Sequence, residues 1–269
     1  MIEDDIIFLI EEEETPIIAT AIHDGHEVRP RLLPYFELDE AGRLREEDPY
    51  TATFTEVARA KIIGLRSRFE VDLNRPPERN VYRKPEDAWG LHVWKEDLPE
   101  VMVDHAKAAY DFFYQSVGDF LDPLVEEFGS IVVLDIHSYN HRRQGPDAAP
   151  DSPQDNPEVN IGTGNMNRTL WAPLVEGFIS DMRSYDYDGR ALDVRENIKF
   201  TGGYFSRWLY ERYGDRVCPI AVEFKKIFMD EWTGEPFADE INKLEDALRS
   251  TIDGIVAQRS RITQQHLTV

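Results

Sequence analysis

The sequence predicts one α/β domain over residues 1–269, built on a mostly parallel or mixed sheet. Segments rich in β-branched residues alternate along the chain with segments of helical periodicity, which is typical of this class. Hydrophobic residues make up 41% of the sequence, enough to bury a sizeable core. No internal repeat or linker divides the chain, so a single domain is the expected organisation.

Three short apolar runs in the first quarter of the chain predict strands. The runs IIFLI (6–10) and PIIATAI (16–22) are separated by an acidic turn, so we expect adjacent strands of one sheet. A third strand is expected near 61–65, where a helical pattern ends. The Pro-rich stretch that follows predicts a loop.

A long helix is predicted over about 99–128, because apolar residues recur there every three or four positions. Gly118 and Pro123 mark places where it could divide into two helices. The run SIVVLDI (130–136) is the strongest strand signal in the chain. It leads at His137 into a long stretch rich in Pro, Gly and Asp, which predicts a functional or disordered loop.

The remaining sequence continues the alternation of strands and helices. Apolar runs bounded by turn residues predict the strands, and three-to-four spacing predicts the helices. The predicted strands lie at 159–163 and 216–224, and the predicted helices lie at 167–184, 204–214 and 236–259.

The charge balance limits the classes of ligand. The formal net charge is −22 and the isoelectric point is near 4.7, whereas a general nucleic-acid-binding protein would be more basic. We therefore expect no nucleic-acid partner. An anionic substrate would need local positive charge to overcome the overall negative field.

The cysteine count and the N-terminus bear on the cellular compartment. Cys218 is the only cysteine, so no intrachain disulfide can form and a cytoplasmic location is expected. The N-terminal stretch lacks the basic region and long apolar core of a signal peptide. No apolar run is long enough to span a membrane. The sequence does not indicate an oligomeric state.

Three histidines lie at or just after the ends of predicted strands. A catalytic zinc usually has three protein ligands and one position open for water. Two of the ligands lie a few residues apart in sequence, and the third lies far along the chain. His23 and His26 would supply the short spacer and His137 the distant ligand, giving one zinc per chain. Glu27 is an alternative to His26 as the second ligand, and a pair of surface histidines would give the same short spacing.

Glu223 ends another apolar strand and is the candidate catalytic base. A carboxylate beside an activated water can take its proton and later protonate the leaving group. A salt bridge to Lys225 or Lys226 is the structural alternative. Asp48 is a weaker candidate, with a role in orienting a ligand histidine through the second ring nitrogen.

Arginines near the same predicted strand ends could bind an anionic group. Arg75 follows a short strand in a Pro-rich turn, and its planar guanidinium suits bidentate binding of a carboxylate. Arg68, Arg142 and Arg143 would add positive charge, although each could equally form a surface ion pair. HExxH, GxSxG, GxxxxGK[ST] and GxGxxG are all absent from the sequence, so the best-known zincin, serine-hydrolase and nucleotide-binding motifs are excluded.

Several of these residues stand in motifs whose order resembles that of the N-formylglutamate amidohydrolase family, which is related to the zinc carboxypeptidases. The resemblance runs from about residue 16 to 235. Each motif alone is common, and their order carries the specificity. The motifs are SRFEVDLNR (67–75), LDIHSY (134–139), NIGT (160–163), GGY (202–204) and EFKKIFMDE (223–231).

The resemblance implies a three-layer α/β/α fold with a mixed, mostly parallel sheet, like that of the zinc carboxypeptidases. It also implies zinc-dependent cleavage of the N-acyl amide of an acidic amino acid, as in N-formylglutamate. Carried over by motif, His23 and His137 match metal positions, Arg75 the carboxylate-binding position and Glu223 the catalytic position.

Other residues in and beside these motifs complete the expected site. Asn74, Tyr139 and Arg142 join Arg75 as predicted substrate-binding residues. The peptidases have a glutamate where this chain has His26, so three histidines would make the ligand set neutral and the bound water more acidic. A carboxypeptidase-like peptide-trimming enzyme is the alternative, and a non-catalytic binding protein is a third possibility. The sequence leaves the acyl group, the amino acid and the physiological metal open.

Overall fold

A computed structural model describes residues 6–267, so residues 1–5 and 268–269 of the expected domain lie outside the described range. The strands are β1 (Phe8–Glu11), β2 (Ile17–Ala21), β3 (Ala60–Gly64), β4 (Ile131–Tyr139), β5 (Val159–Gly162), β6 (Val194–Glu196) and β7 (Val217–Lys225). The α-helices are α1 (Glu40–Glu46), α2 (Thr51–Phe54), α3 (Glu100–Phe128), α4 (Ala172–Ser184), α5 (Tyr204–Tyr213), α6 (Ala238–Arg249) and α7 (Ile252–Ile262).

The strands form one seven-stranded sheet in the order β1-β3-β2-β4-β7-β5-β6. Strand β1 pairs antiparallel with β3, and β5 pairs antiparallel with β7, while the other neighbouring pairs are parallel. The central strands β2, β4 and β7 are buried along almost their whole length, which explains their continuous apolar sequence. The predicted mixed, mostly parallel sheet is confirmed.

Helices cover both faces of this sheet, which gives the expected three layers. Side chains of β4 alternate between the two faces: Val132 and Leu134 join one apolar cluster, and Ile131 and Val133 join the other. The first cluster includes side chains of α4, α6 and α7. The second includes side chains of α3 and α5. The α/β class and its layering are therefore as predicted.

Three local predictions differ from the structure. Strands β1 and β2 are not neighbours, because β3 lies between them and pairs with both. Helix α3 continues through Gly118 and Pro123 as one helix, since its buried apolar row runs on without a break to Val125. The predicted last helix is two helices, α6 and α7, which are separated at Ser250 and Thr251.

The parallel arrangement places the carboxyl ends of β2, β4 and β7 along one edge of the sheet. In open α/β sheets this edge is the usual ligand-binding side. His23 follows β2, while His137 and Glu223 lie near the ends of β4 and β7. Within residues 6–267, no helix is long and apolar enough to cross a membrane.

Candidate metal centre and substrate pocket

Three buried side chains meet at this edge of the sheet in an arrangement that could hold a metal ion. His23, Asp48 and His137 each offer one ligand atom, and these atoms all lie within 4.8 Å of one another. His23 comes from the end of β2, Asp48 from the connection between α1 and α2, and His137 from β4. Two imidazoles and one carboxylate are a donor set that zinc accepts, with room for water at a fourth position.

The two histidines face Asp48 with the same ring nitrogen. The Nδ1 atom of His137 lies 3.0 Å from Oδ2 of Asp48, and Nδ1 of His23 lies 3.5 Å from the same oxygen. The opposite nitrogens contact other carboxylates: Nε2 of His23 is 2.8 Å from Asp72, and Nε2 of His137 is 3.1 Å from Asp135. A carboxylate behind each imidazole fixes the tautomer that presents Nδ1 to a metal.

Both supporting carboxylates are themselves held in place. Asp135 accepts hydrogen bonds from the hydroxyls of Thr20 at 3.0 Å and Ser206 at 2.9 Å. Asp72 accepts hydrogen bonds from Arg68 at 2.9 Å and from the Tyr82 hydroxyl. Such contacts behind the ligands restrict the orientation of the imidazoles, which favours metal binding.

The electrostatics of the group match its geometry. Burial alone would raise the pKa of Asp48, but hydrogen bonds and charge interactions with His137 and His23 hold it well below its usual value. Burial opposes protonation of His137, yet Asp135 and Asp48 raise its pKa well above the ordinary value. Without a metal, a proton on His137 therefore supplies positive charge beside Asp48.

Hydrogen bonds of its backbone, its side chain and the residues just before it hold Asp48 in place. Its amide donates to the His23 carbonyl at 3.0 Å, and its Oδ1 accepts from the Ser138 hydroxyl at 3.2 Å. The buried Lys226 ammonium donates to the carbonyls of Arg45 at 2.6 Å and Glu47 at 2.7 Å, both of which precede Asp48 in sequence. Burial lowers the pKa of Lys226 to about 8, against several carboxylates that raise it.

Glu223 lies opposite His137 in the parallel ladder between β4 and β7. Its side chain is buried and lines the same cavity as the three candidate ligands. Burial raises the pKa of this carboxyl to about 7, although His137 acts to lower it. A carboxylate with a pKa near neutrality, close to a metal centre, can accept and return a proton at physiological pH.

The cavity above the metal group has a volume of about 180 Å³. Positive charge enters it from Arg68, Arg143 and Lys226. Two partly exposed aromatic side chains, Trp89 and Phe200, also line it. Three acidic side chains line the cavity as well, so its charge is mixed, and an anionic substrate would meet local positive charge inside an otherwise acidic protein.

The chain matches a family model described as N-formylglutamate amidohydrolase over residues 15–229. The chain belongs to this family. Members are amidohydrolases, so the expectation of a hydrolase that acts on amide bonds is confirmed. A comparison with curated proteins finds no significant match.

Two solved structures with TM-scores above 0.5 support the fold. The N-formylglutamate amidohydrolase from Ralstonia eutropha JMP134 superposes with a TM-score of 0.73 at 15% identity, over 93% of this chain and 99% of that one. A gene product from Agrobacterium tumefaciens gives a TM-score of 0.64 at 16% identity, over 95% of this chain and 98% of that one. A putative carboxypeptidase A from Shewanella denitrificans OS-217 superposes with a TM-score of only 0.40 at 11% identity, over 96% of this chain and 61% of that one.

His26 lies apart from the three side chains that meet at the metal group of this amidohydrolase. Its Nδ1 contacts the buried carboxylate of Glu47, and its Nε2 lies 3.5 Å from Glu40. The hydrogen bond to Glu47 raises the pKa of His26, against partial burial. The alternative, Glu27, is exposed and lies 3.4 Å from Arg66. The third member of the group is instead Asp48, so the structure brings together two of the three predicted histidine ligands, His23 and His137.

The lysines beside Glu223 have other partners. Lys226 donates to the backbone carbonyls of Arg45 and Glu47, just before Asp48, and Lys225 donates to the carbonyl of Asn156 at 3.1 Å. Among the described contacts, neither lysine forms the salt bridge to Glu223 that was the structural alternative. The position of Glu223 is therefore compatible with a catalytic role.

The predicted carboxylate-binding residues occupy two adjoining spaces. Asn74 borders the metal cavity, where its Nδ2 lies 3.3 Å from Nε2 of His137. Arg75 lines a neighbouring groove, with its guanidinium 2.8 Å from the Asp87 carbonyl and stacked over Tyr82. Arg68 lines both spaces. Arg75 is thus not in the metal cavity itself, but in the space beside it.

Tyr139 lines the metal cavity, and its hydroxyl donates to the Pro157 carbonyl. Arg142 differs from the prediction, because its guanidinium donates to the carbonyls of Pro146 and Ala148 in its own loop. The next residue, Arg143, lines the cavity instead, and its guanidinium contacts Glu46 at 3.1 and 3.2 Å.

Sequence reasoning did not identify Asp48 as a candidate ligand or Lys226 as a cavity residue, and it named Arg143 only as a source of added positive charge. Asp48 stands at the end of an acidic run, and nothing in its sequence position distinguishes it from Glu46 and Glu47. Its role follows from the long-range packing of the connection between α1 and α2 against β4. The one usable signal was the Pro after Asp48, which predicts a turn rather than a continuing helix.

Proposed function

We propose that the protein is a zinc-dependent amidohydrolase that removes the acyl group from an N-acylated acidic amino acid of the N-formylglutamate type. His23, Asp48 and His137 would hold one zinc ion per chain. The observation that carries the proposal is the position of Glu223, paired with His137 in neighbouring strands and facing the same cavity. A zinc ion at this position would supply Lewis acidity to the amide carbonyl and to the attacking water.

The residues of the chain supply the proton transfers and the binding. Glu223 takes a proton from the attacking water and later donates it to the nitrogen of the leaving amine. Its pKa of about 7 in the metal-free protein supports both roles. Asn74 and Arg75, with Arg68 between the two spaces, bind the carboxylate of the amino acid. Tyr139 and Arg143 border the side of the cavity left for the acyl group and its carbonyl.

The test is release of amine from N-formyl-L-glutamate and a panel of N-acyl amino acids by zinc-loaded protein. Glu223→Gln is the matched control, because it keeps the shape of the side chain and removes the base. We expect turnover in the wild type and a loss of at least about 100-fold in the variant, with equal zinc content. Equal turnover in the two proteins would rule out the role of Glu223. Cleavage of free peptides alone would replace the amidohydrolase by a peptide-trimming enzyme.

We also propose a cytoplasmic location. The single cysteine, Cys218, is buried in β7, and burial raises the pKa of its thiol far from the reactive range. A protein of this kind needs no oxidising compartment for its stability. Fractionation of cells that express a tagged chain would test the location.

A further inference from the structure

Asn140 follows β4 directly and lines the metal cavity, and only 2% of its surface is exposed. Its Oδ1 atom is buried, and no group within residues 6–267 donates a hydrogen bond to it. Among the buried unpaired side-chain atoms of that range, this is the one that belongs to a residue of the metal cavity. A buried acceptor without a donor destabilises the folded state, so it calls for an explanation such as a ligand that supplies the donor.

The backbone around Asn140 is held on both sides. The Tyr139 carbonyl accepts a hydrogen bond from the Lys226 amide at 3.0 Å. On the other side, the Glu231 carboxylate accepts a hydrogen bond from the His141 amide at 2.7 Å. The position of Asn140 is therefore set by its neighbours and needs no hydrogen bond from its own side chain.

Asn140 differs in this respect from the other carboxamide and hydroxyl groups that line the cavity. Asn74 is engaged at both ends, since its Oδ1 accepts from the Phe205 amide at 2.9 Å and its Nδ2 lies 3.3 Å from Nε2 of His137. The hydroxyls of Ser138 and Tyr139 each donate to another group of the protein. The free carboxamide oxygen is thus a feature of one position and not of the cavity as a whole.

A substrate of the N-formylglutamate type has a single hydrogen-bond donor, the N–H of the amide that is cleaved. Its two carboxylates and its acyl carbonyl only accept hydrogen bonds, and they suit the cationic groups of the site. Asp48 and Glu223 are assigned to the metal and to proton transfer, and Glu46 already accepts hydrogen bonds from Arg143. Among the carboxylates and carboxamides of the cavity, this leaves Oδ1 of Asn140 for the amide N–H.

We propose that the carboxamide oxygen of Asn140 accepts a hydrogen bond from the N–H of the scissile amide. The proposal rests on the proposed function, because that amide must lie in the metal cavity. When the C–N bond breaks, its electron pair goes to the nitrogen, which receives from Glu223 the proton taken from water and leaves as an amine. An acceptor binds an N–H group more strongly as positive charge develops on the nitrogen, so the contact should affect kcat as well as KM.

The test compares N-formyl-L-glutamate with its ester analogue, in which an oxygen atom replaces the amide N–H. Asn140→Leu has a similar shape but no hydrogen-bonding group, and Asn140→Asp keeps an oxygen acceptor. After subtraction of the uncatalysed rates and at equal zinc content, Asn140→Leu should lower kcat/KM at least about tenfold for the amide and less than about twofold for the ester. Asn140→Asp should keep the wild-type ratio of amide to ester.

The control is Asn242→Leu, which replaces an exposed asparagine of α6 and should change neither rate. Equal losses for the amide and the ester in Asn140→Leu would mean that the side chain acts through packing, which overturns the proposal. Full activity of Asn140→Leu on the amide overturns it as well. A ratio that falls in Asn140→Asp as far as in Asn140→Leu overturns the role as acceptor.

Binding to the Glu223→Gln protein separates this proposal from the proposed function. Calorimetry with the amide and the ester measures the contact without turnover. A preference for the amide that is reduced about tenfold when Asn140→Leu is added supports the contact, even if the wild type hydrolyses neither compound. A preference that is absent, or that Asn140→Leu leaves unchanged, overturns the proposal, whether or not N-formyl-L-glutamate is a substrate.

Discussion

His137 and Glu223 lie directly opposite each other in the parallel strands β4 and β7. Neighbouring strands are about 4.8 Å apart, and paired residues of parallel strands project on the same side of the sheet. A candidate metal ligand and the candidate base are therefore held at a fixed separation by backbone hydrogen bonds. Rigid elements of this kind position reacting groups more accurately than loops do.

The arrangement of the metal group predicts that substitutions of Asp48 and of His26 affect zinc binding differently. Asp48→Asn should abolish zinc binding, because it removes a charged ligand from a buried group of three. His26→Gln should keep one zinc per chain, since the His26 ring pairs with Glu47 instead. Zinc content after dialysis, measured by atomic emission, distinguishes the two. Loss of zinc from the His26 variant, with zinc retained in the Asp48 variant, would restore the ligand set of three histidines.

Zinc binding should depend strongly on pH. The pKa of His137 is raised in the metal-free protein, mainly by Asp135 and Asp48 against the effect of burial, so a metal must displace its proton. The apparent affinity should rise by about tenfold per pH unit below that pKa, with about one proton released per zinc. Calorimetry in two buffers of different ionisation enthalpy counts the protons. Binding without proton release across pH 6–8 would show that His137 is already neutral.

Glu223→Gln should stabilise the metal-free protein at alkaline pH. The pKa of Glu223 is about 7 in the folded state, above its ordinary value of 4.5, so the folded state binds the proton more tightly than the unfolded state does. Stability contributed by the protonated form is present at low pH and is lost as the pH rises through 7. The glutamine of the variant does not titrate. The free energy of unfolding of the variant relative to the wild type should therefore rise by roughly 2–3 kcal/mol between pH 4 and pH 8. Urea unfolding of both proteins at pH 4 and pH 8 measures these free energies. If the variant and the wild type differ by the same amount at both pH values, a raised pKa of Glu223 is excluded.

Arg75→Lys should raise KM by about tenfold with a small effect on kcat. Lysine keeps the charge but cannot form the two parallel hydrogen bonds of a guanidinium to a carboxylate. Arg142→Lys is the matched control, because the Arg142 guanidinium binds carbonyls of its own loop. Steady-state kinetics with the best N-acyl amino acid provides the measurement. Equal KM values for the two variants would remove Arg75 from the substrate-binding residues.

The sequence predicted the elements that depend on local pattern. The strands β4 and β7 and the helix α3 were located within a few residues, because long buried strands and a long amphipathic helix have clear periodicities. The order of strands was harder. Strand β3 lies between β1 and β2 through pairing with residues 42 positions away in β2 and 50 to 56 positions away in β1, and no local signal reports such pairing.

The candidate site likewise contains some residues that the local sequence pattern indicates and others that it does not. His23, His137 and Glu223 could be identified because each lies near the carboxyl end of an apolar strand. Asp48 could be named only as a residue that orients a ligand histidine, because its place in the group depends on how a loop folds back over β4. The sequence could not indicate, for a similar reason, that Arg143 and not Arg142 lines the cavity. Neighbouring arginines in an irregular loop project in different directions, and their order in sequence does not indicate which one faces the cavity.

The spread of the site along the chain has a consequence for folding. The three candidate ligands and Glu223 come from positions 23, 48, 137 and 223, on segments that the pairing of β2, β4 and β7 and the contacts of the Asp48 loop bring together. A partly folded chain lacking any of these strand pairings has no complete metal group. Zinc would therefore bind the native state and not its precursors, and would slow unfolding without speeding folding. Loss of the metal in a cell would shorten the lifetime of the protein as well as its activity.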